Sequence, residues 1–378
     1  MSPPPQLHLG YCTNVHPGES LDEIRRVLAT DVAAVRALAS PPFGLGLRLG
    51  NAAATALSVP DERERFADEL RTAGLEVFTV NGFPYGDFAA ETVKADVYRP
   101  DWRTEERRRY TRRVAEALVA LPGPSLRTVS TVAGGFKPET DDSAARRAMV
   151  AQLEGSARDL AALADRTGVG VRLCLEPEPF TTLETTPEAI ELFAGALLPL
   201  GQHVRDHLGL CYDCCHQAVQ YEDPVASLRA LHEAGVAIGK IQISSALVLP
   251  SPGDPAARAA LMAFAEPRFL HQVVARFPDG SLERLLDLPQ AETLRGAESW
   301  RCHFHVPIGW AGDAPLGTTR ADWQAAVAYA AREGLTDHFE VETYTWGVLP
   351  EGLRPPPGGL PAALADELRA AREALGLP

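Results

Sequence analysis

The sequence predicts an α/β fold, a (β/α)8 TIM barrel, and three observations predict it. Short apolar runs bounded by Gly, Pro, Asn or Asp alternate with longer Ala/Leu/Arg/Glu stretches of helical spacing. Most runs begin about 30 to 50 residues after the last, which leaves room for one helix each. The runs are apolar almost without a break, as strands of a parallel sheet covered by helices must be.

In chain order the strand-like runs are HLGYCTNV (8–15), FGLGLRLG (43–50), LEVFTVNGF (75–83), LRTVSTVAGG (126–135), VGVRLCLEPEP (169–179), LGLCYDCCH (208–216), IGKIQISSA (238–246), WRCHFHVPI (300–308) and HFEVETYTW (338–346). Eight strands close a barrel, so one of these nine runs is extra. Helices fall between them. In 105–121, Val114, Leu118 and Leu121 recur at helical spacing. The stretch 145–168 closes on Gly168, and 223–235 opens with Asp223-Pro224 and closes on Gly235. The longest gap, 247–299, reads as an insertion after the seventh strand, over the C-terminal face. It carries a β-hairpin around Pro278-Asp279-Gly280. The proline-rich stretch 355–361 leads into a last helix, 361–378, and residues 1–378 form one domain. An open doubly wound sheet requires a Gly-rich turn after the first strand, and TNVHPGES has no GxGxxG.

Composition narrows the function. In 378 residues, 36 Lys+Arg against 50 Asp+Glu leave a net charge of −14, which argues against nucleic acid and anionic membrane surfaces as partners. The 46% hydrophobic and 23% charged fractions exclude global disorder. No run approaches the ~20 apolar residues of a membrane span, so direct membrane insertion is not expected. MSPPPQLHLGYCTNV lacks the charged and apolar regions of a secretory signal. Cys12, Cys174, Cys211, Cys214, Cys215 and Cys302 lie in or beside apolar runs and read as small buried hydrophobes in a reducing, cytoplasmic setting.

In a barrel the active site lies at the C-terminal strand ends, so polar residues there carry the chemistry. The fifth run ends in Glu176 and Glu178, and the sixth in Tyr212, Asp213, Cys214, Cys215 and His216. The seventh carries Lys240, Gln242 and Ser244; the extra run His303 and His305; the last Glu340, Glu342 and Tyr344. Strand alternation puts Glu176 with Glu178, His303 with His305, and Glu340 with Glu342. Carboxylates, an imidazole and an amide oxygen converging on one point hold a hard divalent cation. Without a cation they repel and partly protonate. Taken alone, His303 and His305 on a Trp/Phe/Val strand read as satisfied core histidines, and Asn81-Gly82 with Pro84 reads equally as a tight turn.

The strand ends LCLEPEP, YDCCH, GKIQIS and VETYTW, with PLGTTRADWQAAV (315–327), resemble the xylose-isomerase-like TIM barrels, the sugar phosphate isomerase/epimerase superfamily. YCTNVHPGES, FTVNGFPYG, YRPDW, STVAGG, FLHQV and HFHVP make the chain similar to EboE-type metabolite traffic proteins, from about residue 8 to 350. The resemblance implies metal ligands Glu176, Asp213, His216, position 242 and Glu342, and a catalytic pair Glu176 and Glu342. Gln242 stands where the superfamily has His, and His305, or else His303, is expected to return from the insertion as the missing imidazole. Asn14, His16, Arg48, Asn81, Tyr85, Glu178, Lys240, His303 and Glu340 are the substrate-binding candidates.

The expected cofactor is a divalent metal (Mg, Mn or Zn). The expected partners are a small polyhydroxylated or carbonyl metabolite and the products of a neighbouring metabolite-export gene cluster. The leading expectation is isomerase/epimerase chemistry through an enediolate. A non-catalytic metabolite carrier and a metal-dependent hydrolase are the alternatives, and the missing basic groove argues against the last. Two further expectations follow. Metal binding weakens as pH falls through the ordinary imidazole range near ~6.5. Replacing 249–296 by a short Gly/Ser loop leaves cooperative unfolding intact while weakening the site.

Overall fold

The computed structural model describes residues 7–41 and 43–377. The MSPPPQ stretch read for a secretory signal lies outside them, as does the last residue of the C-terminal segment. Eight parallel strands close the barrel: β1 (His8–Cys12), β2 (Gly44–Arg48), β3 (Glu76–Asn81), β4 (Leu126–Val132), β5 (Gly170–Glu176), β6 (Leu208–Asp213), β7 (Ile238–Ile243) and, after a long excursion, β13 (His338–Val341), which pairs with both β1 and β7. Leu45, Val77, Leu173 and Ile241 are strand residues buried in the main hydrophobic core.

Helices cover the outside for the reason the periodicity gave. The helix Glu105–Ala120 is capped by Thr104 and buries Tyr110, Val114, Ala117 and Leu118 on one stripe. Ser143–Thr167 ends where Gly168 takes φ 72°, a conformation that costs glycine nothing. Among the described residues no helix is long and apolar enough to cross a membrane. All six cysteines are free and buried. Cys211 and Cys214 stand at CxxC spacing around Asp213, yet Cys211 Sγ donates to Gln242 Oε1 at 3.0 Å.

The run outside the barrel is the one that carries His303 and His305. The chain turns at Ser244 and builds a second, five-stranded sheet from β8 (Ser245–Leu249), β9 (Val273–Arg276), β10 (Leu282–Leu285), β11 (Ser299–Val306) and β12 (Gly317–Thr318), in the order β10-β9-β11-β8-β12. The turn at 277–281 joins β9 to β10 as an antiparallel hairpin. The β11–β8 ladder shifts register between Cys302 and Val306, and an irregularity of that kind re-aims side chains. Here it spans His303 and His305.

This sheet is not an independent lid. Leu247, Leu249, Val273, Ala275, Trp300 and Phe304 belong to the same buried cluster as the barrel. Replacement of 249–296 is therefore expected to strip the cover from Trp300 and Phe304 and give aggregated or loosely packed protein. This reverses the expectation from sequence, because the segment's apolar faces are shared with the barrel. Thermal unfolding monitored by near-UV circular dichroism checks it; a retained cooperative transition would show the second sheet to be dispensable.

Candidate metal centre

Strand ends deliver the polar groups. Asn81, Glu176 and Asp213 are the last residues of β3, β5 and β6; Asn14 and Glu342 follow β1 and β13 within two residues. Asp213 also caps the helix Cys214–Val219, accepting from the His216 backbone N–H at 2.9 Å, which holds His216 one helical turn away. Ser244 Oγ donates to the same Asp213 oxygen at 2.8 Å.

Two groups of ligand-type atoms share Asp213: Asp213 with His216 and His305, and Asp213 with Glu176 and Glu342, each set lying within 4.8 Å. His216 Nδ1 lies 3.0 Å from the Pro177 carbonyl, and His305 Nδ1 2.7 Å from the Glu342 carbonyl. A carbonyl only accepts, so both Nδ1 atoms carry the proton and both Nε2 atoms present lone pairs. Those two Nε2 atoms face each other at 3.3 Å, and they lie 3.7 and 4.0 Å from Asp213 Oδ1. Two lone pairs and a carboxylate oxygen cannot satisfy one another. Glu176 Oε2 and Asp213 Oδ2 are also buried without a hydrogen-bond partner. A divalent cation fits this donor set, and backbone carbonyls on the distal ring nitrogens are the usual support of ligating histidines.

The electrostatics agree. Burial, then the Asp213 charge, pushes the Glu176 carboxyl well above the usual range. Burial, then the charges of Glu176 and Asp213, does the same to Glu342. Asp213 is held low against its burial, with the His216 backbone N–H and the Ser244 hydroxyl donating to its carboxylate. Burial pushes His216 down to about 4, and lowers His303 and His305. These directions shift the expected pH dependence toward the carboxyls of Glu176 and Glu342, since burial lowers His216 and His305. A carboxyl raised in the free protein must lose its proton to bind a cation, so affinity rises with pH. Titration of Mn2+ in buffers of different ionisation heat is expected to show proton release on binding. Release of none counts against both glutamates.

The pocket above this cluster is lined by Asn14, Asn81, Glu176, Glu178, His216, His303 and Glu342, with an apolar wall. Asn14 and Asn81 each donate to Glu342 Oε1 at 2.9 Å. Asn81 Oδ1 also accepts from Phe83 N, so that residue serves both the turn and the site. Glu178 accepts from Tyr98 Oη at 3.0 Å and Gln272 Nε2 at 3.2 Å, and burial pushes its carboxyl up to about 8. Gln272 Oε1 meets His303 Nδ1 at 2.7 Å. Tyr98 and Gln272 were not among the sequence candidates, although they stand in the quoted YRPDW and FLHQV segments.

Five sequence candidates do not reach this pocket. Lys240 and Glu340 are ion-paired to each other, fully buried in the barrel interior. Arg48 is spent on Glu19 and on the Gly18 and Gly86 carbonyls, joining two loops. His16 Nε2 pairs with Tyr11 Oη at 3.0 Å beside a separate small cavity, and Tyr85 donates to Glu106. Gln242 is not drawn into the cluster either: Cys211 occupies its Oε1, and its Nε2 has no partner. His305 stands by Asp213 instead.

The sequence profile described as xylose isomerase-like TIM barrel matches residues 46–371. No curated protein matches the chain in sequence. Among solved structures, a D-tagatose 3-epimerase-like protein is 13% identical with TM-score 0.52, covering 98% of this chain and 97% of its own. An IolI protein with a bound zinc atom is 13% identical with TM-score 0.51, covering 98% of both. At this identity the likeness is one of fold.

Proposed function

Since the chain belongs to the xylose isomerase-like TIM barrel family, we propose that it is a divalent-metal isomerase or epimerase acting on a small hydroxy-carbonyl metabolite. The observation that carries this is the pair of tautomer-fixed imidazoles facing Asp213, with two buried glutamates beside it. A Mg2+, Mn2+ or Zn2+ ion would be held by Glu176, Asp213, His216, His305 and Glu342, and would polarise a substrate carbonyl. Zinc is the ion of the IolI relative.

The chain's own work is proton transfer. Glu342 is steadied by Asn14 and Asn81, whereas Glu176 keeps one oxygen free. Carboxyls raised toward neutrality suit taking and returning a proton at the carbon beside a carbonyl, the step that leads through an enediolate. The pocket walls keep water from that carbon. The test is incubation of the Mn2+-loaded protein with ketohexoses in D2O, read by NMR. Deuterium entering next to the carbonyl supports the reading. Mn2+ binding with no exchange overturns it in favour of a second reading.

That second reading is a metabolite carrier of the EboE type, serving a neighbouring export gene cluster. It is favoured by Gln242 in place of the superfamily's imidazole. Six free buried thiols and the acidic surface suit either role in the cytoplasm.

A further inference from the structure

The pocket has two unlike halves. Its floor offers acceptors. Gln272 Nε2 lies against three acceptors, Tyr98 Oη, Glu178 Oε1 and the Pro179 carbonyl, so its Oε1 faces His303 and takes the Nδ1 proton. His303 Nε2 is left as a buried lone pair without a partner. Asn14 turns its amide N–H to Glu342, which leaves Asn14 Oδ1 in the same condition. A ligand there must bring O–H donors.

The wall is apolar. Phe88, Phe269 and Tyr344 come from three separate segments and meet with ring centroids 4.9, 5.2 and 5.0 Å apart. Phe83, Val93 and Leu270 extend this face along the pocket. The segment 93–94 is pinned to 268–269 by two backbone hydrogen bonds to the Arg268 carbonyl. Among the described lining residues Lys94 is the one permanent cation, and its ammonium is already held by Asp287 and the Phe269 carbonyl at 2.7 Å each. Nothing on the wall is left to neutralise a phosphate or carboxylate, and the floor adds no Lys or Arg side chain.

We propose that the substrate is an uncharged hydroxy-carbonyl compound carrying an aryl or branched apolar substituent. Its hydroxyls meet His303 and Asn14, and its substituent lies on the Phe88–Phe269–Tyr344 face. This rests on the proposed function for the reacting head group alone; the wall is independent of the metal.

The test is calorimetric titration of the full chain, with and without Mn2+, using three compounds that share one head group. These are dihydroxyacetone, 1-hydroxy-3-phenoxypropan-2-one and dihydroxyacetone phosphate. The phenoxy ketone is expected to bind at least about tenfold more tightly than dihydroxyacetone, because a buried ring adds apolar area. Phe88→Ala and Phe269→Ala are expected to shrink that ratio to about threefold or less. Phe88 is half-buried, so its variant keeps the fold. No preference for the phenoxy ketone, or tightest binding of the phosphate, overturns the proposal. A preference that persists while Mn2+ fails to bind would sink the metal reading and leave this one standing.

Discussion

Asp213→Asn is expected to lower Mn2+ affinity by at least about hundredfold while the chain stays folded. Asp213 is the one residue common to both groups of ligand-type atoms. Asparagine keeps the Oδ1 acceptor for the His216 N–H and the Ser244 hydroxyl, so the helix cap survives. What disappears is the charge between two imidazole lone pairs. Glu176→Gln and Glu342→Gln are expected to act in the same direction and to abolish any carbon–hydrogen exchange. Strand-end groups of a barrel contribute to chemistry more than to packing. The measurements are metal content after dialysis, Mn2+ titration and thermal unfolding, taken together. Unchanged occupancy in both glutamate variants would remove the carboxylates from the ligand set.

Lys240→Met is expected to act on the opposite property. It should destabilise the protein by about 3–5 kcal/mol, the usual result of leaving one partner of a buried ion pair uncompensated. Both side chains are fully buried. Burial alone would strip the Lys240 proton, but the Glu340 carboxylate holds it on, so the lysine stays charged. Glu340 has no alternative partner, since its Oε1 is otherwise unsatisfied and lies in the space that Gly46 leaves. A Cβ at position 46 would stand 1.5 Å from that oxygen, which is why the strand carries glycine there. Adding Glu340→Gln to Lys240→Met is expected to recover part of the loss, because the stranded charge is gone. Urea unfolding of the single and double variants measures this. Single-variant stability within about 1 kcal/mol of the parent, together with weakened ligand binding, would return Lys240 to the substrate candidates.

Much of the barrel was legible. All nine apolar runs are strands, because each is short, bounded by turn residues and buried on both faces. The helices begin and end where Thr104, Asp223 and Gly168 cap them. The hairpin around 278–280 and the polar strand ends were equally plain, since all of these depend on neighbours a few residues apart.

By itself, then, the sequence determined the strand–helix repeat, the face to which each strand-end side chain belongs and the net negative charge. Convergence was beyond it. Asn14 meets Glu342 across 328 positions, and His305 meets His216 across 89. Only barrel closure and the register shift in the second sheet make them neighbours. Alternation could not tell Glu340, buried against Lys240, from Glu342, facing the pocket. Nor could it show Arg48, His16 and Tyr85 engaged by other partners. The low imidazoles and raised carboxyls are likewise tertiary in origin. Desolvation and charge proximity depend on what the whole fold places within a few ångströms of a group, and no local pattern records that.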